Sequence, residues 1–174
     1  MIESDRLIAR MESFPSAIGL LLEHVNAPDA RWKPPSGAWS ILEIVCHLGS
    51  EEVEDFRARL ESTLRDPAAA WPGIDPEGWA IERKFNERDL AESLAQFTTA
   101  RAESITWLRE VAPDVDWSKT FEHPKIGRIS AGDLLASWAA HDALHLRQIA
   151  KRLFELTQRD ADGFSTEYAG QWGS

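Results

Sequence analysis

Apolar residues in this chain return at three- and four-residue steps over long windows, and no run alternates apolar and polar residues for long enough to compete. That periodicity predicts a protein built almost wholly of α-helices. Four stretches carry it. The first, Asp5 to Val25, has Leu7, Ile8, Met11, Phe14, Ile18, Leu21, Leu22 and Val25 recurring at three- and four-residue steps. Pro15 lies inside it and lacks a backbone N–H, which predicts a kink or break near Ser13. The second opens at Ser40, where S-I-L-E spells a capping box with Trp39 and Ile44 as a hydrophobic staple, and runs to about Leu64, before Pro67. The third runs from about Asp89, where D-L-A-E is a further capping-box candidate, to Val111, with Leu90, Leu94, Phe97, Ile105 and Leu108 as its stripe. The fourth repeats the entrance design, with Ser130, Asp133, Ile129 and Leu134 in the corresponding positions, and runs to about Leu156.

The connections are long. Asn26 to Trp39 contains Pro34-Pro35 and is predicted to be extended. Asp66 to Arg88 carries Trp71 and Trp79, with a short helix expected near Trp79 to Phe85, and Ala112 to Ile129 reads as irregular. The tail from 157 to 174 is polar apart from Phe164, Tyr168 and Trp172, and is expected to be either loose or folded back as a lid. At 174 residues the prior is one domain over 1–174. The expectation is an all-α four-helix bundle whose long connections leave room for crossovers.

Charge and cysteine content narrow the function. A net charge of -10, with no basic run, would repel nucleic acid. No stretch approaches the apolar length of a membrane helix, and the start, MIESDRLIARMES, lacks the basic-then-apolar order of a signal peptide, so a cytoplasmic protein is expected. Cys46 is the single cysteine, so any metal must be held by histidine and carboxylate.

At about 100° per residue, Leu134, Trp138, His141, His145, Ile149 and Arg152 fall on one helical face. His141 and His145 stand one turn apart and can converge on one ion, although H-x-x-x-H alone is a weak pattern and two unrelated histidines would read the same. His47, in the second turn after Ser40, is the third candidate, at the edge of its apolar arc. Three histidines from two helices with a coordination position left open would suit a catalytic metal. His24 and His123 read as structural or surface residues. Glu51, one turn beyond His47, is a candidate fourth ligand or base, or else a solvated carboxylate. Arg101 interrupts the apolar stripe of the third helix, where a bare charge is costly; it either binds an acidic substrate group or pairs with Glu52 or Asp55, and the pair is favoured. Asp142 reads equally as support for a ligand histidine or as a surface residue. Cys46 points away from His47 and reads as a packing residue; Trp32, Trp39 and Trp138 read as packing around helix entrances and core, while Trp71, Trp79 and Trp172 are candidates for a pocket mouth.

The segment from Trp32 to Glu43, continuing to His47-Leu48, resembles the first signature of the DinB-like superfamily of small bacterial proteins. His123-Pro124, Gly127, Ser130 to Leu135, and His141-Asp142 through His145 to Ile149 resemble its second. The resemblance implies a four-helix bundle with a divalent metal on three histidines, which map onto His47, His141 and His145. Imidazole ligands suit Zn, Ni, Fe or Cu alike. Members with known roles include transferases that use low-molecular-weight thiols and a thiol-dependent isomerase, and others are regarded as hydrolases. The expected function is therefore a metal-dependent enzyme acting on a small molecule, first a thiol-dependent S-transferase with a thiol cosubstrate, then a hydrolase. A non-enzymatic stress or ligand-binding bundle is the alternative from another class, and a homodimer is compatible with the size. A zincin protease is disfavoured, because His141-Asp142-Ala143-Leu144-His145 has Asp where H-E-x-x-H needs glutamate.

Overall fold

The computed structural model describes residues 2–170 and 172. Its elements are α1 (Ser4–Leu22), α2 (Ala27–Arg31), α3 (Ile41–Glu54), α4 (Phe56–Arg65), α5 (Pro76–Glu82), a 3-10 turn (Phe85–Glu87), α6 (Leu90–Val111), β1 (Thr120–His123), β2 (Gly127–Ser130), α7 (Ala131–Asp160) and a 3-10 turn (Glu167–Ala169). The bundle is formed by α1, α3 with α4, α6 and α7. Among the described residues no helix is long and apolar enough to cross a membrane.

Of the three predicted capping boxes, those at Ser40 and Ser130 are complete, while at α6 Asp89 accepts from the Glu92 N–H at 3.0 Å without the reciprocal bond. Ser40 Oγ accepts from the Glu43 N–H at 3.1 Å and Glu43 Oε2 accepts from the Ser40 N–H at 2.8 Å. Ser130 and Asp133 repeat the exchange at 3.0 and 2.8 Å. These local contacts set where α3 and α7 begin, and hence the height of every residue that follows.

Several expectations need correction. Pro15 does not break α1, which runs unbroken but ends at Leu22. The second helix divides at Asp55, whose backbone leaves the helical region (φ -119, ψ -89) although no proline or glycine marks the spot. The stretch from 26 to 39 is not wholly extended: Asn26 caps the short α2, accepting from the Asp29 N–H at 2.9 Å. The short helix in the second connection lies earlier than predicted, as α5 with a 3-10 turn after it. The third connection holds an antiparallel hairpin, Thr120 opposite Ser130 through His123 opposite Gly127, turned at Gly127 with φ +78. Four-residue strands are too short to carry a readable alternation. The last helix extends to Asp160, one turn past Leu156.

The core has two main halves. Phe14, Ile18, Leu22, Ile44, Phe97 and Ile149 fill one, and Met11, Leu60, Ile105, Leu108, Leu135 and Trp138 the other. A smaller cluster of Ala30, Leu42, Cys46, Ala80 and Phe85 packs the α2 and α5 segments over α3.

Candidate metal centre

His47 follows the Ser40 cap by two turns, and its position in α3 is buried at 5% exposure. His141 and His145 project from successive turns of α7. The three rings meet, with centroid separations of 4.7 Å for His47–His145, 5.5 Å for His47–His141 and 4.2 Å for His141–His145. One nitrogen from each lies within 4.8 Å of the other two. Three imidazole nitrogens around one ion at about 2.1 Å stand about 3.4–3.6 Å apart, so the donors need to close by at most about 1.4 Å.

Protonation favours the same use. Burial, followed by the neighbouring His145 and His141, lowers His47 to about 3. Burial, followed by His145 and Arg101, lowers His141 to about 3, and burial lowers His145 also. All three are neutral at pH 7, the form that binds metal. Gln148 Oε1 lies 2.8 Å from His145 Nδ1, which keeps the proton there and leaves Nε2 as a lone pair. That Nε2 faces His141 Nε2 at 2.9 Å. Two neutral imidazoles in this contact need a proton between them, and a cation would replace it. His47 Nδ1 is buried without a hydrogen bond, 3.6 Å from Glu51 Oε1, which is also unpartnered. The three-imidazole donor set and the unpaired His47 nitrogen fit a divalent cation.

The imidazoles open onto a cavity of about 1050 Å³. Trp39, Phe56, Ile74, Ile81 and Leu144 supply its apolar wall, and Lys33, Glu51, Asp55, Gln148 and Arg152 its polar wall. Trp39 lies 4.8 Å from the His47 ring, and Phe56 meets His141 edge-on at 5.0 Å. Glu51 is pushed up to about 9, first by burial and then by hydrogen bonding to Asp55 and that residue's charge, and it carries a proton at neutral pH in the metal-free protein. Asp55 in turn pairs with Arg59 Nε at 2.7 Å.

The other candidates lie elsewhere. Arg101 does not line this cavity; it is 2% exposed and bound to Glu52 and Asp142. Asp142 is buried, not on the surface. His123 stands on β1, where Nδ1 accepts from the Lys125 N–H at 3.2 Å. Cys46 is buried, and burial raises its thiol. The expected tryptophans do not frame the mouth. Trp71 stacks on Phe121 at 4.1 Å, Trp79 lies under the Arg83 guanidinium, and Trp172 packs on Phe154. Trp39 is the tryptophan in the wall, and its place before the Ser40 cap is the signal that could have found it. Among the described residues no part of the tail lines the cavity; positions 171, 173 and 174, within the expected lid, lie outside them. The sequence suggests Asp55 only as a partner for Arg101, and it pairs with Arg59 instead; Gln148 and Lys33 were not singled out in the sequence, although Gln148 sits one turn beyond Leu144 on the histidine face.

The family model of the DinB superfamily matches residues 11–149, a span that holds all three histidines. A protein of Bacillus mycoides (strain KBAB4) named "putative metal-dependent hydrolase" is 23% identical over 156 residues, covering 86% of each chain. YfiT from Bacillus subtilis, described as "a probable metal-dependent hydrolase with an unusual four-helix bundle topology", matches with a TM-score of 0.79 at 18% identity over 90% of each chain. That likeness shows the fold.

Proposed function

This chain belongs to the DinB superfamily, and on that footing we propose that it is a metal-dependent hydrolase of a small-molecule substrate, with one divalent cation on His47, His141 and His145. The observation that carries the reading is the meeting of three neutral imidazoles from two helices, two of them buried and His141 half-buried, at the wall of one large cavity. Their number leaves coordination open, as catalytic sites require. The hydrolase names of the two relatives support the reaction class.

A divalent ion held there supplies Lewis acidity, which brings water or a thiol within reach of deprotonation near neutral pH. The chain's own residues do the rest. Gln148 fixes the His145 tautomer. Glu51, backed by Asp55, holds a proton on the cavity wall and suits donation to a leaving group. Trp39, Phe56 and Leu144 shed water from an apolar substrate body.

Thiol-dependent transfer is the second reading, favoured by the cavity volume, which sits at the top of the range of about 300–1000 Å³ for single-ligand sites and has room for two molecules. One experiment separates them. Metal-loaded protein, chelated protein and the His47→Ala variant are assayed on esters, lactones and amides without thiol, then on electrophiles with low-molecular-weight thiols. Turnover by the loaded wild type alone in thiol-free buffer supports hydrolysis. Turnover only with thiol supports transfer. No turnover in either set overturns the enzyme reading and leaves a ligand-binding bundle.

A further inference from the structure

Between the two apolar halves of the bundle lies a buried ionic hub centred on Arg101, midway along α6. Its Nη1 and Nη2 fork onto Asp142 at 2.7 and 2.8 Å. Nε donates to Glu52 Oε1 at 2.8 Å, and Nη2 stands 2.6 Å from the same oxygen. Nη1 also donates to the Met11 carbonyl at 2.8 Å, and Trp138 Nε1 donates to Glu52 Oε1 at 2.9 Å. One planar group thus ties α1, α3, α6 and α7 together.

A buried ion pair is weak evidence of stability, because well-packed apolar replacements are often as stable. What a bidentate fork adds is direction. Both of its carboxylate partners stand on the helices that carry the imidazoles. Asp142 follows His141 in α7, and Glu52 lies about one and a half turns beyond His47 in α3. Trp138, held by Glu52, stacks on Phe56 at 5.9 Å, and Phe56 meets the His141 ring at 5.0 Å. Pinning Glu52 and Asp142 to one guanidinium sets the spacing and rotation of α3 against α7. That relation decides how far His47 stands from His141 and His145.

We propose that Arg101 is a positioning residue for the imidazole cluster, acting through Glu52 and Asp142 without touching ligand or substrate. The inference rests on the metal reading for one of its two readouts and is independent of it for the other. Arg101→Lys keeps the charge and loses the fork. Ile18→Ala, a fully buried change away from the hub, serves as the control for lost stability. The full chain is titrated with Co²⁺, whose visible absorption reports affinity and ligand geometry, and the metal-free variants are crystallised. In Arg101→Lys the Co²⁺ affinity should fall at least tenfold with an altered band shape, and the His47–His145 ring separation should open beyond 4.7 Å. Ile18→Ala should leave all three as in the wild type. Wild-type affinity, spectrum and ring separation in Arg101→Lys would overturn the proposal, as would equal losses in Ile18→Ala. If Arg101→Lys does not fold, Asp142→Asn, which breaks one arm of the fork, is read against the same criteria. A wild type that binds no Co²⁺ counts against the metal reading, and the ring separation alone then decides the role of Arg101.

Discussion

Arg101 donates from Nη1 to the carbonyl oxygen of Met11 at 2.8 Å. This is the carbonyl that Pro15, four residues on, cannot reach because proline has no N–H. The proline opens an acceptor inside α1 and the buried arginine of α6 fills it, so the helix continues where its sequence predicts a break. Replacing an interior helical proline ordinarily gains about 3 kcal/mol. With the Met11 carbonyl already satisfied, Pro15→Ala should gain no more than about 1 kcal/mol. In an Arg101→Met background the carbonyl is orphaned, and the same change should gain about 1 kcal/mol more. Urea unfolding of the four proteins checks this; additive effects would contradict it.

The two capping boxes differ in burial and should differ in cost. Ser130→Ala loses an exposed cap, worth about 1 kcal/mol. Ser40 is fully buried and its hydroxyl also donates to Asn86 Oδ1 at 2.7 Å. Ser40→Ala should therefore cost about 2–3 kcal/mol, since it leaves a partner unsatisfied. The difference in urea midpoints measures the gap, and equal costs would contradict the added role of Asn86.

Acid should destabilise the metal-free protein through its histidines. His47 and His141 titrate at about 3 when folded, and His145 is lowered too, against about 6.5 in an unfolded chain. Between about 6.5 and about 3 the unfolded chain binds protons that the folded chain refuses. Stability from these groups is therefore full above about pH 6.5 and is lost as pH falls through that window. Urea midpoints measured from about pH 7.5 to 4 in chelator should show that slope, and His47→Leu should flatten it. An unchanged slope in the variant would contradict the assignment.

Glu51 should matter to turnover and not to metal content. Glu51→Gln keeps the shape of the side chain and removes its exchangeable acid, and kcat should drop by about 10² to 10⁴. The bound divalent ion per chain should stay at the wild-type value. Loss of metal in the variant would make Glu51 a ligand instead.

What could be read from the chain follows the range of the forces involved. The entrances of α3 and α7 were legible because a cap is written within four residues, and the histidine spacing because a helix repeats locally. The break at Asp55 was not, because it goes with a buried Asp55–Arg59 pair and no local helix breaker. Pro15 misled because its compensating donor is Arg101, distant in sequence. Arg101 itself stood out as a charge on an apolar stripe, and Glu52 was named as a partner, but Asp142 was not, since contacts between separate helices leave no local mark. The tryptophans at 71 and 79 looked like a pocket rim by composition, and they pack instead against Phe121 and Arg83.

Every role proposed for the cavity requires that His47, His141 and His145 hold one cation together. Elemental analysis of untagged protein, alongside His47→Ala, His141→Ala and His145→Ala, tests it most directly. One divalent ion per chain in the wild type and a large loss in each variant is the predicted result. Equal metal in all four proteins, or none in any after metal loading, would contradict it.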